Sequence, residues 1–285
     1  MKMEYVNVGG VQTRCIIAGE ARAPVLMMIH GLALTAEIWC RNIDALAADH
    51  RVIAPDLFGH GFTRPPEESG VDFESKLGHL DALLDVLEVD KLSLCGSSYG
   101  ALICCLLYLR NPARIDRLII NSSGSCFNTA DQLHNQIIAM QSTFDPQSMQ
   151  GSTRAEWRAR AGKNFFDPTK LPEEILVAAQ LCYAQDWPAV RLGETLDLMA
   201  DREAVAPYRV LERLEEIRCP TLVLWGRDDH GGNLESAEKA VARIPDGHIE
   251  VFDACGHYPM IEHSERFGTL VRDFLASPHP LSDSP

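Results

Sequence analysis

The sequence predicts an α/β protein: a mostly parallel sheet of about eight strands with helices on both faces and a helical cap inserted into it. Three observations predict it. Short runs rich in Val, Ile and Leu recur along the 285 residues. Amphipathic stretches of helical period separate them. In the middle of the chain the alternation stops for roughly 80 residues, which is too long for a structureless loop.

The first runs, "YVNV" and "TRCIIA", read as an antiparallel opening pair. "VLMMIH", "RVIAPD", "KLSLCG", "RLIINS", "TLVLWG" and "HIEVFD" follow. The later ones are nearly unbroken in apolar residues, as parallel strands covered on both faces should be. Between them, "FESKLGHLDALLDVLEV" places Leu77, Leu80, Leu83, Leu84 and Leu87 on one helical stripe. "ALICCLLYLR" is apolar all round through Leu109 and predicts a fully buried helix. From Gly124 to Ala206 no strand pattern occurs, whereas "PEEILVAAQLCYA" starts like a helix, with Pro172 and two glutamates in its first turn. The expected organisation is a core of residues 1–123 and 207–276, a helical cap at 124–206 and a flexible tail at 277–285.

Composition narrows the function. With 46% hydrophobic residues the chain can bury a large core, and its net charge of −14 repels nucleic acid and anionic membranes. A small-molecule substrate is the expected partner, and homo-oligomerisation is left open. Nine cysteines without a CxxC pair are expected as reduced core thiols. No export signal and no apolar run near the ~18 residues of a membrane span is visible, so the expected location is cytoplasmic. With no ligand-spaced His/Cys cluster and no phosphate-cradling loop, neither metal nor cofactor is expected.

The chemistry begins at "GSSYG". Gly96-Ser97-Ser98-Tyr99-Gly100 fits G-x-S-x-G with Ser98 at its centre, after a predicted strand and before a predicted helix. A side chain on so sharp a turn is pushed out of the sheet, and the flanking glycines remove the Cβ atoms that would collide. A serine hydroxyl needs a positioned base, and the base needs a group that fixes its tautomer. "HIEVFDACGHYPMIEH" puts His257 on the loop after the last predicted strand. "TLVLWGRDDHGG" ends the preceding strand with Asp228 and Asp229. Both loops emerge on the sheet edge that carries Ser98, where open α/β sheets bind ligands. Of the other histidines, His30 and His60 are expected to be structural.

"IHGLALTAEIW", "VIAPDLFGHGFT", "CGSSYG", "LVLWGRDD" and "CGHYPMIEH", in this order, resemble the α/β-hydrolase fold superfamily from about Tyr5 to Leu275. The resemblance implies Ser98 as nucleophile, His257 as base and, by G-x-x-D spacing from Gly226, Asp229 as the acid. It also implies an oxyanion hole from the backbone N–H groups of Leu32 and Tyr99. Gly31, Tyr258 and Trp187 are the candidate substrate-binding residues.

A serine at the elbow, where haloalkane dehalogenases and epoxide hydrolases carry a carboxylate, leaves acyl transfer to water. The main expectation is hydrolysis of a small carboxylic ester. The alternative is carbon–carbon bond hydrolysis of a ring-fission product, as in meta-cleavage hydrolases of aromatic degradation. "YVNVGGVQTR", "FFDPTKLPEEILVAAQLCYA" and "CGHYPMIEH" resemble that subfamily. The chain departs from it in lacking a glycine-rich segment after His30-Gly31 and in carrying Tyr258 where those enzymes have tryptophan. Arg154, Arg158, Arg160 and Arg191 are candidate partners for a substrate carboxylate. A third class comprises non-hydrolytic members of the fold: a lyase, a cofactor-free oxygenase or peroxidase, or a ligand receptor.

Overall fold

The computed structural model describes residues 1–277. Its eight strands are β1 (Lys2–Val8), β2 (Val11–Ala18), β3 (Val25–Ile29), β4 (Arg51–Pro55), β5 (Leu92–Ser97), β6 (Ile115–Asn121), β7 (Thr221–Gly226) and β8 (Gly247–Phe252). They form one sheet in the order β1-β2-β4-β3-β5-β6-β7-β8. β1, β2 and β4 pair antiparallel, and β3 to β8 run parallel with β4. All eight strands coincide with the apolar runs of the sequence.

Burial follows composition. Every residue of β5 and of β7 is buried, Ser93, Ser97 and Thr221 included, as expected of central parallel strands covered by helices on both faces. One layer packs helix Phe73–Val86 against helix Tyr99–Arg110. The other packs helix Ser264–Ala276 against Ile43–Leu46. Tyr99 to Tyr108 are buried without exception, which fits the all-apolar helix expected there. All nine cysteines are free thiols, eight of them buried.

Between β6 and β7 the described residues hold helices and turns and no strand, including helices Ala130–Thr143, Arg154–Gly162, Glu173–Tyr183 and Pro188–Ala200. Thr129 and Thr153 start two of these with reciprocal capping boxes, each supplying a hydroxyl to the backbone while Gln132 or Glu156 reaches back. No described helix is long and apolar enough to cross a membrane. Apart from Ser277, the tail expected at 277–285 lies outside the described residues.

The parallel strands fix where chemistry can occur. Ser98 follows β5, Asp229 follows β7 and His257 follows β8, so three separate loops rise from the same carboxyl edge.

Candidate active site

Ser98 occupies a strained turn. Its φ of 54° and ψ of −119° lie where side chains are seldom found, and the helix starts at the next residue. The glycines make this turn feasible. A Cβ on Gly96 would sit 2.5 Å from Ala101 N, and one on Gly100 would sit 2.3 Å from Ile29 O. The turn is held by Ser98 N–H donating to Asn121 O (2.9 Å) and by Ser123 Oγ donating to Ser98 O (2.7 Å). Ser97 is fully buried, and its Oγ accepts from Asn121 Nδ2 at 3.2 Å. Of the two adjacent serines, the one facing the edge is Ser98.

His257 Nδ1 lies 2.9 Å from both carboxylate oxygens of Asp229. Asp229 Oδ1 also accepts the Gly231 N–H at 2.7 Å. Asp228 turns elsewhere, its Oδ2 3.3 Å from Cys255 N. The geometry thus separates two aspartates that sequence spacing alone left adjacent. Burial disfavours a charged imidazole at His257, but the charge and hydrogen bond of Asp229 outweigh it and raise its pKa above the ordinary 6.5. With Nδ1–H pointing at Asp229, Nε2 is left as the basic nitrogen. Ser98 Oγ and His257 Nε2 form no hydrogen bond with each other or with any other group among the described residues. Such contacts are often long in unliganded enzymes and tighten around substrate.

The oxyanion donors have a structural basis of their own. Neither the Leu32 nor the Tyr99 N–H has an acceptor among the described residues. His30, fully buried, accepts the Leu57 N–H at Nε2 (3.0 Å), so its proton resides on Nδ1, which donates to Gly31 O at 2.8 Å. Burial lowers the His30 pKa and keeps this imidazole neutral. In a trans peptide C=O and N–H point in opposite directions, so fixing Gly31 O on His30 turns the Leu32 N–H away from the imidazole. Gly31 itself abuts the nucleophile turn, since a Cβ there would meet Ser98 Cβ at 3.2 Å.

The other expected residues divide. Tyr258 is buried with its ring 5.1 Å from His257 and 4.9 Å from Phe165, a wall beside the imidazole. Trp187 starts helix Pro188–Ala200 with its indole N–H on Gln185, and no hydrogen bond or ring contact joins it to Ser98 or His257 among the described residues. Three of the four candidate arginines are engaged elsewhere, and the fourth, Arg160, keeps a buried Nη1 without a partner among the described residues. Arg154 and Arg158 both pair with Glu173, and Arg160 lies over Trp157. Arg191 holds Glu194 and the carbonyls of Pro66, Glu67 and Ser69. Two surface grooves, one of about 490 Å³ lined in part by Tyr5, Phe62 and Leu181, include none of Ser98, Asp229 and His257. Among the described residues no group of three or more His, Cys, Asp or Glu is placed to hold a metal.

Sequence reasoning passed over Ser123, Gln136 and Glu262. Gln136 Nε2 donates to Gly231 O at 2.8 Å, beside the Asp229 turn. Glu262 binds the His257 loop. Only Ser123 carried a signal, as a second small hydroxyl residue at the end of "RLIINSS".

The family model for the alpha/beta hydrolase fold matches residues 24–264. The 2-hydroxy-6-oxo-2,4-heptadienoate hydrolase of Pseudomonas putida strain F1 is 30% identical over 284 residues, covering 95% of each chain. The 2-hydroxymuconate semialdehyde hydrolase of Pseudomonas sp. strain CF600 is 30% identical over 267 residues, covering 88% of this chain and 86% of its own. A meta-cleavage product hydrolase from Pseudomonas fluorescens IP01 superposes with a TM-score of 0.81 at 25% identity, covering 96% of this chain and 97% of its own.

Proposed function

The chain belongs to the α/β-hydrolase fold family, and from that premise we propose that it is a carbon–carbon bond hydrolase acting on a 2-hydroxy-6-oxo-dienoate, the ring-fission product of a catechol-type compound. Similarity to dienoate hydrolases over nearly the whole chain is the observation that carries this reading. It reverses the order expected from sequence, which put a carboxylic ester first. The departures at the segment after Gly31 and at Tyr258 do not outweigh it, because Tyr258 still supplies an aromatic wall beside His257.

In this reading Ser98 Oγ attacks the keto carbon while His257 Nε2 takes its proton, and Asp229 stabilises the imidazolium. The Leu32 and Tyr99 N–H groups receive the oxyanion, an interaction in which each donor contributes about 3–4 kcal/mol. Collapse breaks the bond between the keto carbon and the dienoate, whose conjugated acid accepts the electron pair and a proton. Water then releases the acyl group from Ser98 as a carboxylic acid. One water is consumed, and the products are a carboxylic acid and a shorter 2-hydroxydienoate. The helical segment 124–206 is the cap over this reaction. Arg154 and Arg158 pair with Glu173 and Arg191 is held by Glu194 and backbone carbonyls, so the reading assigns none of these three to the substrate carboxylate.

A parallel turnover assay tests it. The protein is expected to consume 2-hydroxy-6-oxo-2,4-heptadienoate, releasing acetate, with a kcat/KM well above that for a short-chain aryl ester. Fast ester cleavage with the dienoate left intact would overturn the proposal.

A further inference from the structure

Glu262 ends the short helix Pro259–Glu262 with its side chain buried. Its two carboxylate oxygens serve two distant parts of the chain. Oε1 accepts the Gly256 N–H at 2.8 Å, next to His257, and Oε2 accepts the Asp167 N–H at 2.9 Å. The same two segments meet again where the His257 N–H donates to Asn164 O at 2.8 Å. They are in backbone contact as well: a Cβ on Gly256 would lie 2.5 Å from Asn164 O and 2.8 Å from Phe166 N. Lys170 Nζ, from the same stretch, donates to the Glu262 main-chain oxygen at 2.8 Å. The loop carrying His257 is therefore fastened along its length to residues 164–170, outside the sheet.

We propose that Glu262 is a positioning residue for His257, and that its carboxylate couples the 164–167 segment to the base. This rests on reading Ser98, His257 and Asp229 as the reacting unit. Two N–H donors on one carboxylate are charge-assisted bonds, stronger and shorter than neutral ones. A displacement of Asn164–Asp167 by substrate reaches the imidazole through this carboxylate and through the His257 N–H. Glutamine keeps one acceptor and turns an NH2 group toward the other N–H, so it preserves half of the clamp. Alanine removes both halves.

The experiment compares wild type, Glu262→Gln and Glu262→Ala with a short-chain aryl ester across pH, and follows the His257 ring titration by NMR. In Glu262→Ala, kcat falls about 10- to 100-fold with KM within about twofold, because misplacing a reacting group by a fraction of an ångström acts on the chemical step. The His257 titration shifts, and Glu262→Gln falls between alanine and wild type. A folded Glu262→Ala with wild-type kcat and an unmoved His257 titration overturns the proposal. So does a loss confined to KM. If the alanine variant does not fold, Glu262→Gln decides by the same two readouts. A wild type inert toward both the ester and 2-hydroxy-6-oxo-2,4-heptadienoate counts against the reading of Ser98, while the NMR titration still decides the role of Glu262.

Discussion

Asp229 holds His257 through both carboxylate oxygens, each 2.9 Å from Nδ1, while Asp228, the preceding residue, faces Cys255 N instead. Asp229→Asn should therefore lower kcat by about 10³- to 10⁴-fold, as loss of the tautomer-fixing group does in such units. Asp228→Asn should cost less than about tenfold. The pH dependence follows in sign. Burial lowers the His257 pKa and Asp229 raises it, with a net rise above 6.5, so the acid limb of kcat/KM in wild type lies above that value. With Asp229 replaced, only burial remains and the limb moves below it. The raised pKa also stabilises the fold at low pH, a contribution lost as pH rises through the folded-state value. A pH–rate profile of each variant checks this.

Two neighbouring serines have opposite expected effects. Ser98→Ala should abolish turnover while leaving the melting temperature near wild type. Ser97→Ala should keep activity within about threefold and lose about 1 kcal/mol of stability, the typical worth of one buried hydrogen bond, here that from Asn121. Steady-state assays with thermal melts on both variants decide.

Lys76 is a buried cation whose only hydrogen-bond partner among the described residues is the Val71 carbonyl. Burial lowers its pKa to about 7 against the opposing charges of Asp72 and Glu194. Below that value the folded protein must bury an ammonium. Between it and the unfolded value of about 10.4 the folded state sheds the proton first, so stability rises with pH. Lys76→Met should stabilise the protein by about 1–3 kcal/mol near pH 6, where a buried charge is replaced by an apolar chain, and by less near pH 10. Denaturant melts at the two pH values measure the difference.

Much of this was legible in the sequence, for identifiable reasons. A strand run buried on both faces, such as the LVLW of β7, has no polar alternation to confuse it, and the strained Ser98 turn is marked by two glycines that cannot carry a Cβ. The choice between Asp228 and Asp229 depends on side-chain direction one residue apart on an irregular loop, which no periodicity encodes. Glu262 lies in "MIEHSE", where a glutamate reads as a solvated helix charge. Its burial comes from packing against residues 164–167, about a hundred positions earlier. Lys76 left a trace: it falls three residues after Phe73 and four before Leu80, on the apolar stripe itself.

The most direct measurement is mass-spectrometric mapping of the residue that reacts with a fluorophosphonate, a reagent that traps activated serine hydroxyls. A single adduct on Ser98, lost in His257→Ala and strongly slowed in Asp229→Asn, is the predicted result. An adduct on Ser97 or Ser123, or labelling of Ser98 at an undiminished rate without the imidazole, would contradict it.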